Sequence, residues 1–136
     1  MTNSRLGLAN AIIVRDHQVL LLHKKHPARI VPHGGKIEKG ETSEHAVVRE
    51  CLEEIGVPVR VVKKLCSCDS LSPSGVPLHC DFFVCHIVSG EPHIHEPHVF
   101  DQLLWCSADE LDGMATGEKM VDSLVMNLDE IKAILQ

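Results

Sequence analysis

The sequence predicts an α/β sandwich, in which helices pack against a sheet of several strands. Short runs of β-branched and other apolar residues are separated by turn-forming residues along most of the chain. Two segments instead repeat apolar residues at helical spacing, one in the first half of the chain and one at its C-terminal end. Strands interleaved with amphipathic helices are typical of layered α/β domains.

The chain has 136 residues, a hydrophobic fraction of 44% and a formal net charge of −6. This length is most simply one domain, spanning residues 1–136, and it is large enough to bury a core. The acidic balance argues against a nucleic-acid duplex as partner, because it implies no basic surface. No apolar run has the length of a membrane span, and residues 1–5 do not begin a signal peptide. We therefore expect no membrane partner and a cytoplasmic location.

In the first third of the chain, residues 8–14 form the first predicted strand and residues 19–22 form its hairpin partner. Asp16 and His17 lie between them and predict the turn. Proline and glycine mark residues 26–27 and 32–35 as loops.

The first predicted helix is capped by Thr42 or Ser43 and ends near Gly56, a natural C-terminal stop. Its apolar residues fall on one side at 100° per residue, which indicates a face packed on a core. These residues are Val47, Val48, Cys51, Leu52 and Ile55.

The second half of the chain alternates strands and loops before it ends in a helix. Residues 59–68 and 78–88 read as strands, residues 70–77 as the loop between them, and residues 103–106 as a shorter strand. Ser107 then caps a short helical turn. The apolar residues of the last segment recur at helical spacing and predict one amphipathic helix that packs on the sheet. They are Val121, Leu124, Val125, Leu128, Ile131 and Leu135.

The six cysteines contain no C-x-x-C pair and mostly lie among apolar residues, which favours reduced, buried thiols. Cys66 and Cys68 would share one face of a strand, so a metal or redox pair at that position stays open.

Three carboxylates cluster on the polar face of the first helix. With Glu50 at zero, Glu54 falls about 40° to one side and Glu53 about 60° to the other. Like charges at this spacing repel each other and weaken the helix unless a positive group binds them. Hard divalent cations prefer carboxylate oxygens, so the cluster indicates a metal site.

The segment from Gly35 to Val57 resembles the Nudix box, G-x5-E-x7-R-E-U-x-E-E-x-G-U, where U is a bulky aliphatic residue. Eight specified positions match, namely Gly35, Glu41, Arg49, Glu50, Glu53, Glu54, Gly56 and Val57. Cys51 occupies the first U position, a mild departure because cysteine behaves as a small buried hydrophobe. The resemblance implies a single Nudix hydrolase domain with the Nudix-type α/β/α sandwich, in which a mixed β-sheet lies between helices.

The resemblance also implies roles for residues of the box. Glu50, Glu54 and the backbone carbonyl of Gly35 are metal ligands in the family, and Glu53 is a third ligand or holds a metal-bound water. The implied cofactor is Mg²⁺ or Mn²⁺. Arg49 would orient the carboxylates, a task that suits a planar guanidinium. Mg²⁺ keeps several waters and takes few protein ligands, which favours a shallow open cluster.

Many members of the family place a further catalytic or metal-binding glutamate after their last long strand. Glu96 is the candidate here, and with Glu53 and Arg49 it completes the predicted catalytic set. His93, His95 and His98 surround Glu96; a histidine metal site and ordinary polar loop residues both stay open for them.

Substrate contacts are predicted at Arg29, His33 and Lys36, which flank or occupy the glycine-rich loop. The family often has proline immediately before the two glycines. In this chain the proline is one place earlier, at Pro32, and His33 takes its position, where a phosphate contact and tolerated variation both stay open.

The implied reaction is metal-dependent hydrolysis of a diphosphate linkage in a small nucleotide. The short chain favours a nucleoside triphosphate, cleaved to the monophosphate and pyrophosphate. An ADP-ribose or other nucleoside diphosphate sugar hydrolase is the alternative, because some ADP-ribose hydrolases carry a proline at the offset of Pro73. A non-catalytic nucleotide-binding module stays open as a third interpretation, and the expected assembly is a monomer or homodimer.

Overall fold

The computed structural model describes residues 4–117 and 120–136. In those two stretches the chain forms seven strands and four helices, which follow one another in this order: β1 (Leu6–Arg15), β2 (Gln18–Lys25), β3 (Ala28–Val31), β4 (His33–Lys36), α1 (Ser43–Ile55), β5 (Val59–Leu71), β6 (Pro77–Ile87), β7 (Phe100–Cys106), α2 (Ala108–Gly117), α3 (Asp122–Met126) and α4 (Leu128–Ala133).

All seven strands join one mixed sheet. The order is β3-β2-β1-β6-β5, with β4 paired to β1 and β7 paired to β2. β1 and β6 run parallel, and the other pairs are antiparallel. One face of the sheet packs on Val47, Cys51 and Ile55 of α1. The other face packs on residues of α2, α3 and α4. The predicted α/β/α sandwich with a mixed sheet between helices is therefore confirmed.

The turn between β1 and β2 lies where the sequence predicts it. Asp16 and His17 have φ angles of 51° and 63°. Two positive φ values at the centre of a two-residue hairpin match the twist of the flanking strands. This hairpin places the two most buried strands of the sheet side by side, since their central residues have almost no exposed surface.

The prediction that residues 32–35 form a loop is wrong, because His33 begins β4. This strand pairs antiparallel to β1, with Gly34 opposite Asn10 and Gly35 opposite Ala9. A Cβ atom on Gly34 would collide with the backbone of β1, so glycine permits the close pairing here. The loop predicted over residues 70–77 is shorter than expected, because β5 extends to Leu71 and β6 begins at Pro77.

The single C-terminal helix predicted over residues 121–135 is two short helices, α3 and α4. The break lies at Asn127, which has φ −113° and ψ 19°. Its buried side-chain Nδ2 donates a hydrogen bond of 2.8 Å to the carbonyl of Ser123. This side chain competes with the backbone for a helical acceptor, which interrupts the helix while its apolar residues still face the sheet. None of the helices in the described ranges is long and apolar enough to span a membrane.

Candidate active site

Helix α1 carries the acidic cluster, and local sequence signals fix both of its ends. Thr42 Oγ1 accepts a hydrogen bond of 3.1 Å from the backbone of His45. Gly56 ends the helix with φ 68°, and its N–H donates to the carbonyl of Leu52 at 3.1 Å. Leu52 itself is 46% exposed, so its predicted place on the buried face is wrong. The helix is therefore rotated so that Glu54 turns inward and Leu52 outward.

Arg49 binds three carboxylates and one backbone carbonyl. Its Nε and Nη2 donate to the two oxygens of Glu41 at 2.7 and 2.9 Å. Nη1 donates to Glu50 at 2.9 Å and to Glu53 at 3.3 Å, and Nη2 also donates to the carbonyl of Lys36 at 3.1 Å. The guanidinium holds the pKa of the Glu41 carboxyl well below its usual range. One side chain thus ties the glycine-rich loop to the helix that follows it.

Glu54 is the buried member of the cluster, with 6% of its surface exposed. Its Oε1 accepts a hydrogen bond of 3.0 Å from the backbone N–H of Gly34. Burial, together with the charges of Glu50 and Glu96, raises the pKa of Glu54 to about 9. Burial also raises the pKa of Glu50. The cluster is therefore deeper than the open arrangement expected from the sequence, and the charged form of Glu54 is disfavoured without a cation.

Gly35 lies directly against the carboxylate of Glu50. A Cβ atom at position 35 would stand 2.7 Å from Glu50 Oε1, so any side chain there would displace the carboxylate of Glu50. The backbone of β4 and the carboxylates of α1 consequently approach each other without an intervening group.

The segment between β6 and β7 packs on the C-terminal end of α1. The N–H groups of His95 and His93 donate to the carbonyls of Glu54 and Ile55, each at 3.0 Å. The Nε2 atoms of these two histidines lie 2.7 Å apart, and both rings lie against Gly56, which has no side chain to displace them. This docking satisfies helix carbonyls that would otherwise lack donors. It also brings Glu96 close enough for its charge to act on the pKa values of two helix carboxylates.

The arrangement fits a divalent cation, although no preformed cage is present. In the described parts of the chain, no three side chains of His, Cys, Asp or Glu converge at metal-binding distance. The fit comes from the chemistry of the donor groups. Glu54 is a buried carboxylate whose negative charge is disfavoured, the carboxylate of Glu50 lies beside it, and the backbone of Gly35 lies against Glu50. A hard cation that keeps most of its waters needs few protein ligands of this kind.

A cavity of about 330 Å³ opens beside Glu54 and Gly35. It runs between the N-terminal half of β1, the β5–β6 hairpin and α3. Arg29 lines it, and its buried Nε has no hydrogen-bond partner in the described structure. The polar residues around the cavity include Asn10, Lys24, Arg29, Ser70, Ser72 and Ser123. Pockets of this volume with a few convergent polar groups are the usual form of small-molecule sites.

The structure brings together six of the predicted site residues: Gly35, Arg49, Glu50, Glu53, Glu54 and Glu96. Arg29 lies at the cavity beside them. Lys36 is exposed at the end of β4 and contributes its backbone carbonyl to Arg49 rather than lining the cavity.

The predicted phosphate contact of His33 is not possible in this conformation, because the side chain is fully buried. Burial lowers the pKa of His33 to about 4, and the Leu20 backbone approaches the ring without forming a hydrogen bond of good geometry. Asn10 and Ser123 were not identified from the sequence. They come from β1 and α3, and no local motif marks residues that only the tertiary fold brings to one cavity.

Comparisons with known proteins agree with this fold. The model of the NUDIX domain family matches residues 5–125. Among solved structures, the MutT NUDIX hydrolase from Burkholderia pseudomallei is 26% identical, with a TM-score of 0.82 over 94% of this chain and 98% of that chain. The ORF135 protein of E. coli is also 26% identical, with a TM-score of 0.78 over 96% of this chain and 91% of that chain.

The MutT protein from Methanosarcina mazei Go1 has a TM-score of 0.81 at 16% identity, over 98% of this chain and 97% of that chain, and it shows likeness of fold alone. No curated protein matches the chain. Since the family model covers most of the sequence, the chain belongs to the NUDIX domain family, as a hydrolase of phosphoric anhydrides.

Proposed function

We propose that this protein is a nucleoside triphosphate pyrophosphohydrolase that uses Mg²⁺ or Mn²⁺ to release pyrophosphate and a nucleoside monophosphate. The observation that carries the proposal is the buried carboxylate of Glu54 at the mouth of a 330 Å³ cavity lined by Arg29 and Lys24. A polyphosphate bound between cationic side chains and a metal-ligating carboxylate has its reacting bond at the metal.

Glu50, Glu54 and the carbonyl of Gly35 would hold the cation. A bound cation neutralises charge on the phosphate oxygens and acidifies a bound water. Arg49 fixes Glu50 and Glu53 through its Nη1 atom, so that neither carboxylate reorganises during the reaction. Glu53 accepts from Arg49 only at 3.3 and 3.5 Å and its side chain is 55% exposed, so we assign to it the proton of the attacking water. Glu96 lies in the segment that follows β6, and because its charge acts on the pKa values of Glu50 and Glu54 we assign it as a further carboxylate of the site.

Arg29 is the proposed anchor for the polyphosphate. Its buried Nε has no partner within the described residues, and an unpaired buried donor is costly. A phosphate oxygen in the cavity would satisfy it with a charge-assisted hydrogen bond. Lys24 is paired with Arg29 across β2 and β3, so both cations project from adjacent strands. A further contact between the exposed side chain of Lys36 and the polyphosphate stays a prediction.

The alternative substrate is ADP-ribose or another nucleoside diphosphate sugar. It is favoured by one observation: Pro73 lines the same cavity at the tip of the β5–β6 hairpin. The compact cavity favours the triphosphate, which needs room for one nucleoside rather than for two sugar-linked groups.

Product analysis separates these functions. The protein is incubated with Mg²⁺ and with dGTP, an oxidised dGTP, ADP-ribose or a dinucleoside polyphosphate. We expect equal amounts of nucleoside monophosphate and pyrophosphate from a triphosphate, with Glu54→Gln as inactive reference. Preferred release of AMP and ribose 5-phosphate from ADP-ribose would replace the proposal with the alternative. Nucleotide binding without turnover on the whole panel would indicate a binding module. As part of this proposal, we expect a cytoplasmic protein that is a monomer or a homodimer.

A further inference from the structure

We infer that His33 is a positioning residue, whose ring Nδ1 donates a hydrogen bond to Oε1 of Glu54 and leaves Oε2 to the cation. This inference rests on the proposed function, because it concerns the carboxylate that would bind the metal. It assigns to His33 a role through Glu54 in place of the substrate contact that the sequence predicts.

The first step is the burial of His33 without a partner. Its side chain has no exposed surface, and neither ring nitrogen makes a hydrogen bond of good geometry within the described residues, although the Leu20 backbone lies near the ring. An imidazole carries at least one N–H in every protonation state. A buried donor without a well-placed acceptor is unfavourable, so an acceptor that a small movement can reach is the expected partner.

The second step is the distance to that partner. His33 Nδ1 lies 4.0 Å from Glu54 Oε1, about 1 Å beyond a hydrogen bond. A small rotation of either side chain closes this gap. Oε1 already accepts from the N–H of Gly34 at 3.0 Å, and a carboxylate oxygen has two lone pairs, so it accommodates a second donor.

The third step is the consequence for the carboxylate. With Gly34 and His33 both donating to Oε1, the protein would fix one oxygen of Glu54, and Oε2 would keep no protein donor among the described residues. A metal-binding carboxylate that neighbouring donors hold in place binds its ion more tightly, because it has little rotational freedom left to lose when the ion binds.

The sequence shows why this chain has the feature. His33 is the first residue of β4 and pairs with Ala11, and it occupies the position where proline is frequent in the family. Proline has no side-chain donor. His33 therefore places a ring nitrogen near Glu54, in addition to the backbone donor of Gly34.

The test compares three substitutions by Mn²⁺ affinity of the free protein, measured from the electron paramagnetic resonance signal of the unbound ion. His33→Leu removes the donor, and His33→Asn keeps an amide nitrogen near the position of Nδ1. His86→Asn, on the exposed surface of β6, is the matched control. We expect His33→Leu to weaken Mn²⁺ binding about 10- to 100-fold, with His33→Asn and His86→Asn within about threefold of the unmodified protein.

Equal weakening by His33→Leu and His33→Asn would overturn the inference, since it would show that only packing matters. So would equal affinity of His33→Leu and the unmodified protein. If His33→Leu does not fold, His33→Gln replaces it, because its amide reaches the Nε2 position; equal affinities of the Asn and Gln variants then overturn the inference. Glu54→Gln separates the two proposals: if it binds Mn²⁺ as well as the unmodified protein does, the proposed metal site itself fails.

Discussion

Burial is what distinguishes Glu54 from the other glutamates of its helix. Glu53 and Glu44 face solvent, whereas Glu54 lies between β4 and the segment that follows β6. A charge in such a place is unfavourable unless a cation joins it. Glu54 therefore lowers the stability of the metal-free protein, and it is also the central residue of the proposed metal site.

Replacement of Glu54 by Gln is expected to lower turnover by about 10²- to 10³-fold. The amide keeps the shape of the side chain but loses the charge that holds the cation against the transition state. Steady-state kinetics with saturating Mg²⁺ measure the effect, and Glu44→Gln, an exposed residue in the first turn of α1, is the control. Turnover of the Glu54→Gln variant equal to that of the control would contradict the assignment.

The same substitution is expected to stabilise the protein in EDTA as the pH rises. The pKa of Glu54 is raised to about 9 in the folded state from an ordinary value of 4.5. The folded protein therefore holds a proton that the unfolded chain releases, and stability falls between pH 4.5 and pH 9. Glutamine does not titrate. We expect both proteins to unfold alike at pH 5, and the variant to be more stable by about 1–3 kcal/mol at pH 8. Urea unfolding at the two pH values measures this difference.

Arg49→Lys is expected to weaken activity by about 10- to 100-fold. A lysine ammonium cannot donate to both oxygens of Glu41 while it also reaches Glu50, so the carboxylates lose their fixed orientation. The concentration of Mg²⁺ that gives half-maximal rate should rise with the loss. Arg60→Lys, an exposed residue of β5, controls for the change of residue type. An unchanged metal requirement would show that Arg49 does not position the ligands.

At the scale of elements, short-range signals predicted structure well and long-range contacts were missed. Thr42 and Gly56 act on their own helix, and the positive φ values at Asp16 and His17 belong to one turn, so the sequence contains their whole cause. β4 was missed because proline and glycine ordinarily indicate a loop, whereas here glycine allows close pairing with β1. The break at Asn127 depends on one side-chain hydrogen bond that helical periodicity does not reveal.

The candidate site shows the same division. The spacing of Glu50, Glu53 and Glu54 predicted one acidic face, but the burial of Glu54 depends on Gly34 and on the segment at His95, which are distant in sequence. Helical periodicity predicts on which side of its helix a residue lies, but it does not predict which other segments cover that residue. No pattern in the sequence indicates that the ring of His33 lacks a well-placed hydrogen-bond partner; the only signal is a histidine where the family often has proline.

Gly56→Ala is expected to destabilise the protein by roughly 2 kcal/mol or more, because it combines positive φ with a collision. A Cβ atom there would meet the rings of His93 and His95, so the segment carrying Glu96 would also be displaced. Gly75→Ala has a similar φ of 89° with open space around it and is the matched control, expected to lose about 1 kcal/mol. Thermal unfolding and activity are measured together. A loss of activity no larger than that of the control would show that docking of this segment is not needed for the reaction.

At the scale of the whole molecule, folding and metal binding are linked. A cation that binds only the folded state stabilises it by about 2.7 kcal/mol at 100 times its dissociation constant. We expect Mg²⁺ or Mn²⁺ to raise the midpoint of thermal unfolding relative to EDTA, and a non-hydrolysable nucleoside triphosphate to raise it further. Glu54→Gln should show a smaller metal-dependent rise. Identical midpoints with and without the cation would remove the support for the metal site.

β3 and β5 are both outer strands of the sheet, and each border resists pairing with a second sheet in a different way. At β3, the N–H of Val121 donates to the carbonyl of Ile30 at 3.0 Å, so a neighbouring segment already occupies part of that border. At β5, register irregularities flank the exposed Lys63 and Lys64. Bulges and lysines on an outer strand discourage other chains from adding to it. These two outer strands are therefore poor templates for the addition of a strand from another molecule.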